Sequence, residues 1–249
     1  ISNFAAQVVA EKEIPLDIAQ GPQVCLDQAH QLLDALLIGA GLDFRGLAAV
    51  GVGVPGPIVS EAGIVLAPPI MPGWDQFPNR GTLEKRWGCP VSLNNDAELG
   101  ALGEWAYGAD RGVNNLAYIK IGTGVGAGLL IDGQIYRGAT GSAGEIGHIT
   151  IEEEGPLCNC GNRGCLETLP GGHAIARIAQ ESVRSGAPTK LKDIQPVERI
   201  SAIHVTDAAR QGDSTAQQIL ATAGNYLGIA IAGLVNLFNP TAVIVGGGV

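Results

Sequence analysis

Cys158-Asn-Cys160-Gly161-Asn-Arg-Gly164-Cys165, with Gly144-Glu145-Ile-Gly-His148 upstream and Glu167 just downstream, gathers three thiols and an imidazole into one short reach of chain. Thiolate and imidazole donors at this spacing can converge on one tetrahedral Zn²⁺, whose protein ligand sets include Cys3His. Gly161 and Gly164 let the loop fold back so that the sulfurs face one point. Four protein ligands close the coordination sphere, which makes the metal structural rather than water-activating. The competing reading is a disulfide with a spare thiol. The chain has five cysteines, Cys25 and Cys89 being the others. An odd count and a start without a charged segment leading into an apolar core favour the metal.

Glu145 and Glu167 flank the ligand run, where the neighbouring apolar residues do not require them. Carboxylates that are not metal ligands accept hydrogen bonds from neutral hydroxyls such as those of a sugar. They can equally hold the metal ligands in place, and the two roles are compatible.

Working outward, residues 91–93 read as a buried strand and 97–107 as a helix, with Asn94-Asn95-Asp96 between them. A carboxylate at such a junction can act as general base toward a bound hydroxyl. It can also simply cap the helix. Gly122-Thr123-Gly124-Val125-Gly126 separates two apolar runs, 116–121 and 125–131. Glycines there allow backbone amides to approach phosphate oxygens, or they make a plain hairpin. Gly246-Gly247-Gly248-Val249 after the apolar run 242–245 is ambiguous in the same way. Two such turns with a candidate base suggest a nucleotide cleft.

Composition narrows the function. Hydrophobic residues make up 46% and charged residues 16%, as in a well-buried globular protein. A net charge of −9 disfavours a sequence-independent grip on nucleic acid, which needs a basic face. No uninterrupted apolar run of membrane-spanning length is evident, and a cytoplasmic location is expected. Helical periodicity marks residues 24–37, 173–183, 205–211 and 215–237; the last is apolar almost all round and is expected to be buried between layers. The run 47–54, ending in Pro55-Gly56-Pro57, reads as a buried strand, and 1–14 as two strands around a turn. Strands and helices alternate, which gives an α/β protein. A first residue other than Met and a final strand feeding a glycine turn lead us to expect a longer polypeptide, incomplete here at both termini.

Taken together, these residues resemble the ROK family of bacterial sugar kinases and sugar-responsive transcriptional repressors. The likeness rests on Gly51-Val-Gly-Val-Pro-Gly-Pro57, Asn95-Asp96, Ile121-Gly-Thr-Gly-Val-Gly126, Glu145-x-x-His148 and the cysteine signature through Glu167. It implies a two-lobed actin/hexokinase-like (ribonuclease H-like) ATPase fold. Residues 1–95 would form a smaller lobe, and 96–249 a larger lobe with the zinc knuckle and the nucleotide-side elements. By the same resemblance, Asp96 would be the base toward the sugar hydroxyl, and Asn95, Glu145, His148 and Glu167 would bind sugar. His148, Cys158, Cys160 and Cys165 would hold Zn²⁺. Gly122, Thr123 and Gly124 would cradle the phosphates of ATP, Gly246 and Gly247 would border the adenosine, and Mg²⁺ would be required. The sugar would be a hexose such as glucose, or an N-acetylhexosamine, and the protein a homodimer.

Two departures bear on the branch. Family kinases carry an Asp-x-Gly-Gly-Thr phosphate loop that these residues lack, so the fragment alone is expected to be inactive. The segment Ala67-Pro-Pro-Ile-Met-Pro-Gly-Trp74 resembles repressor members at least as much as kinases. The alternative is therefore the effector domain of a repressor whose DNA-binding winged helix lies outside these residues.

Overall fold

The computed structural model describes residues 1–56, 58–59, 63–65, 71, 73–75, 77, 80–108 and 111–248. Pro57, most of the 67–74 segment and Val249 lie outside the described residues. The chain divides into two compact units, Ile1–Asp96 and Ala97–Val249.

In the first unit, α1 (Pro22–Gly39) begins with proline at its first turn, where the missing N–H costs nothing. It buries Cys25, Leu26 and Leu37. β1 (Val50–Val54) pairs in parallel with β4 (Val91–Asn95), from Val50 opposite Val91 to Val54 opposite Asn95. Between them come a short antiparallel pair, β2 (Ile58–Val59) with β3 (Ile64–Val65), and α2 (Arg80–Trp87). Leu26, Leu83, Trp87, Cys89 and Val91 form the core joining α1 and α2 to the strands. Arg86 of α2 also pairs with Asp27 of α1.

Two expectations change here, and two elements are new. Residues 1–14 form no strand pair, only an isolated bridge between Ser2 and Val8. Phe4, Val8 and Val9 stay exposed, so the segment has no packed layer to align it. Asn94 and Asn95 belong to β4, because β1 continues alongside them and supplies their ladder partners, so no polar gap separates strand from helix. Neither α2 nor the β2–β3 pair was anticipated, both being too short or too polar to show a period.

α3 (Asp96–Tyr107) follows β4 directly. The second unit has one sheet in the order β7-β6-β5-β8, made of β5 (Leu116–Ile121), β6 (Val125–Ile131), β7 (Gln134–Ile135) and β8 (Ala242–Gly247). β5 and β8 are parallel, and the other pairs antiparallel. Tyr118 of β5 sits against Gly100 of α3 and Gly246 of β8, where any larger residue would collide with its ring. Gly128 of β6 likewise lies under the Ala97 carbonyl, so the first turn of α3 rests on the sheet backbone. Gly246 and Gly247 are strand residues, opposite Lys120 and Ile121, rather than a turn after the strand.

α4 (Gly172–Arg184), α5 (Ala202–Arg210) and α6 (Ser214–Phe238) complete the unit. The first half of α6 packs Ala216, Ile219 and Ala223 among α4 and α5. Its second half packs Ala230 and Leu234 against the sheet. Its opposite face is open, with Ile229, Val235 and Leu237 exposed, so burial between two layers does not hold for α6. By length and composition this helix is also apolar enough to cross a membrane, which corrects the reading that no stretch is; 22% of its most apolar window is buried.

Asp213 anchors α6. Its carboxylate, 6% exposed, accepts from Ala216 N at 2.9 Å, Thr189 Oγ1 at 2.9 Å and Lys190 N at 2.6 Å. Burial pushes its pKa up, but these bonds together outweigh burial and hold it below the ordinary aspartate value. Its contribution to stability is therefore complete above the ordinary pKa of about 3.9 and is lost as pH falls through the lower folded value. Asp213→Ala removes a helix cap and strands the buried Thr189 hydroxyl and the part-buried Lys190 amide, and should cost about 2–3 kcal/mol in urea unfolding at pH 7, with a smaller difference from wild type near pH 3.

Candidate functional site

The loop after β7 returns to the sheet through Ala127 N donating to Gly144 O at 2.8 Å. Gly144 has φ +90° and packs against the Ala127 carbonyl, where a side chain would not fit. That contact sets where the next turn starts. Ile146–His148 forms a single 3-10 turn that buries Ile146 and presents the His148 ring. The chain then folds back through isolated bridges, Thr150 with Cys165 and Leu157 with Arg163.

The folded loop brings its donors together. One ligand atom from each of His148, Cys158, Cys160 and Cys165 lies within 4.8 Å of all the others. Cys160 Sγ and Cys165 Sγ are 3.6 Å apart, and His148 Nδ1 is 3.6 Å from Cys158 Sγ. A tetrahedral zinc with metal–sulfur bonds of about 2.3 Å sets its sulfurs about 3.8 Å apart, so the donor set fits that ion in identity and spacing. Cys158 and Cys165 are buried and Cys160 is exposed; all three thiols are unbridged. The disulfide reading therefore has no pair in this structure.

Electrostatics differ among the three. Burial pushes the Cys158 thiol well above the usual range, and the Glu167 carboxylate, accepting from it at 3.0 Å, acts in the same direction. Burial also raises Cys165. The Asn162 backbone amide, foremost, lowers Cys160. Metal binding at such thiols releases protons.

Both carboxylates singled out from the sequence meet the same imidazole. Glu167 Oε1 lies 3.6 Å from His148 Nδ1, and Glu145 Oε2 lies 3.9 Å from Nε2. His148, Glu145 and Glu167 are all partly exposed, so this edge is open to a ligand.

The glycine turn adjoins this cluster. Gly124 packs against the Glu167 carboxylate, and a Cβ there would approach Oε2 at 2.7 Å. Gly122 O accepts from Gly172 N at 2.8 Å, which docks the start of α4 on the turn. Gly248 N donates to Ile121 O at 3.0 Å, so the end of β8 lies beside the same turn. Gly122, Thr123, Gly124, Gly246 and Gly247 thus gather at the carboxyl ends of the parallel strands β5 and β8, where open α/β sheets bind ligands. The helix itself was expected at 173–183, one residue inside each observed end, but its start was not read from the sequence as part of the site.

Asn95 and Asp96 lie in the first unit. Asn95 ends β4 and donates from Nδ2 to Gly56 O at 3.0 Å, tying the strand to the turn after β1. Asp96 is the first residue of α3.

A model of the ROK family matches residues 6–249. The chain belongs to the ROK family. The ROK relatives it matches include a glucokinase of Halalkalibacterium halodurans, 39% identical over 247 residues, covering 98% of this chain and 74% of that protein. A putative xylose repressor of Caldicellulosiruptor sp. (strain Rt8B.4) is 34% identical over 246 residues, covering 99% of this chain. This chain spans 61% of the length of that repressor. The structure of a ROK glucokinase from Streptomyces griseus in complex with glucose and AMPPNP superposes with a TM-score of 0.79 at 35% identity, covering 89% of this chain and 72% of that one. The mixed α/β chain accordingly has the actin/hexokinase-like fold of ROK sugar kinases.

Gly164, at φ +60°, lies against the Glu152 carbonyl so closely that no Cβ fits. Gly164→Ala and Cys160→Ser should each sharply reduce the uptake of added Zn²⁺ relative to the unsubstituted protein, measured by atomic emission after desalting. Gly161→Ala also sits at positive φ, +94°, but faces open space, and should lose less.

Proposed function

We propose that the protein is a ROK carbohydrate kinase that transfers the γ-phosphate of ATP to a hydroxyl of a hexose or N-acetylhexosamine. The observation that carries this reading is the convergence of Glu145 and Glu167 on opposite nitrogens of His148, within the Cys3His cluster and beside the glycine turn. Acceptors on a rigid, partly open edge suit the hydroxyls of a neutral sugar. Structural zinc, held by His148 Nδ1 with Cys158, Cys160 and Cys165, would fix that edge. His148 Nε2 then remains for a hydroxyl. Asn95 contributes a further sugar contact from the end of β4.

Asp96 accepts the proton of the attacking hydroxyl in this reading, with the carboxylate held at the head of α3. The glycines at the ends of β5 and β8 let backbone amides reach the phosphates, and Thr123 adds a hydroxyl donor. Mg²⁺ neutralises phosphate charge when bound, and positioning supplies most of the remaining rate. The S. griseus relative, bound to glucose and AMPPNP, supports hexose and ATP as ligands.

The 34% identity to a putative xylose repressor over 99% of this chain favours a second reading. In it the same sugar site serves as the effector pocket of a transcriptional regulator.

ADP release from the full-length protein with glucose, N-acetylglucosamine and xylose separates the two. Turnover with any of them supports the kinase; tight sugar binding with no turnover rejects it in favour of the regulator. For the kinase, Asp96→Asn should lower kcat by about 10²–10⁴-fold while the KM for sugar shifts by less than about threefold.

A further inference from the structure

We infer that the ion pair between Glu98 and Arg137 is a positioning element that sets the loop carrying Glu145 and His148; its bearing on sugar affinity rests on the function proposed above. Glu98 lies in the first turn of α3 and is 6% exposed. A carboxylate so buried is tolerated only with a close cationic partner. Arg137 supplies it with two donors of one guanidinium, Nε at 3.3 Å and a terminal nitrogen at 3.2 Å, both donating to Oε2, while Nε also lies 3.1 Å from Oε1. Such forked geometry fixes orientation as well as distance.

What the pair holds is a shallowly packed segment. Arg137 opens the segment that runs from β7 to Gly144, and no residue from 136 to 145 is buried. Its backbone bonds among the described residues sit mostly at the two ends, Tyr136 N to Leu129 O at 2.8 Å, Ala127 N to Gly144 O at 2.8 Å and Ile146 N to Gly144 O at 2.7 Å, with Ala143 N to Arg137 O at 3.2 Å closing the loop on itself. A stretch with few buried apolar contacts opens locally at low cost. Glu145 follows at once, and the His148 turn depends on where Gly144 is placed. The pair therefore anchors to α3 the middle of a loop whose apolar contacts lie at its ends, Tyr136 beside the Phe238 ring and Ile146 in the sheet core. α3 is in turn seated on the sheet through Ala97 over Gly128 and Gly100 against Tyr118. Neither Glu98 nor Arg137 belongs to the donor cluster, so the two act on the site through the loop.

The test uses the full-length protein and the variants Glu98→Gln, Arg137→Ala and Arg137→Lys, together with a double variant that combines Glu98→Gln with Arg137→Ala. Backbone amide hydrogen exchange over residues 137–148 of the sugar-free protein should quicken about tenfold or more in Glu98→Gln and in Arg137→Ala, with little further gain in the double variant. Exchange in α4, α5 and α6 should stay at the wild-type rate. Arg137→Lys, which keeps the charge but loses the fork, should fall between wild type and Arg137→Ala. Dissociation constants for glucose, N-acetylglucosamine and xylose should rise about tenfold or more for whichever sugar binds, with ADP affinity unchanged. Unchanged exchange in both single variants overturns the inference, as does a uniform rise throughout the second unit or an equal loss of sugar and ADP affinity. A wild-type protein that binds none of the sugars defeats the proposed function instead, and the exchange result still decides on the ion pair.

Discussion

The site depends on the convergence of four donor groups from a loop that has almost no regular structure. Between His148 and Glu167 the chain forms only isolated bridges and tight turns. Such a segment cannot hold its shape through a hydrogen-bonded ladder, and it offers few apolar side chains to pack. The contact of Gly164 with the Glu152 carbonyl, and the meeting of His148, Cys158, Cys160 and Cys165, supply that shape instead. Because Glu145 and Glu167 are close in the chain to His148 and Cys165, whatever fixes the donors also fixes the carboxylates. A closed tetrahedral cation is well suited to this task, since it crosslinks four points at once without taking part in chemistry.

The sheet of the second unit contributes the other rigid boundary. β5 and β8 run parallel and end together, so glycines far apart in sequence meet at one sheet end. Small residues permit this arrangement. Gly100 and Gly246 make room for Tyr118, and Gly128 lets α3 descend onto β6, so helix and sheet approach more closely than side chains would allow. The same close packing brings Glu98 within reach of Arg137. Backbone proximity thus links the turn beside Glu167, the start of α4 and the loop of Glu145 into a single framework within this unit.

Much of the candidate site was legible because its residues are near neighbours in the chain. The cysteines, His148 and the two glutamates occur within one stretch, and their spacing limits what they can build. The long periodic elements were legible for a similar reason, since α1, α3 to α6, β5 and β6 each repeat an apolar pattern that local geometry must satisfy. α2 was not, because its polar sequence is made helical by burying only Leu83 and Trp87 against a core formed elsewhere.

The sequence by itself determined the α/β class, the ligand-rich loop and the glycine turn, since each follows from donor chemistry, period or backbone freedom among adjacent residues. Only the tertiary structure decided that Asn94 and Asn95 extend β4, that Gly246 and Gly247 lie within β8, that α6 leaves one face open, and that Glu98 meets Arg137. Each of these is a pairing between segments distant in the chain. Local pattern carries no record of which neighbour a strand or a charge will find, because that choice is made by the packing of the whole unit.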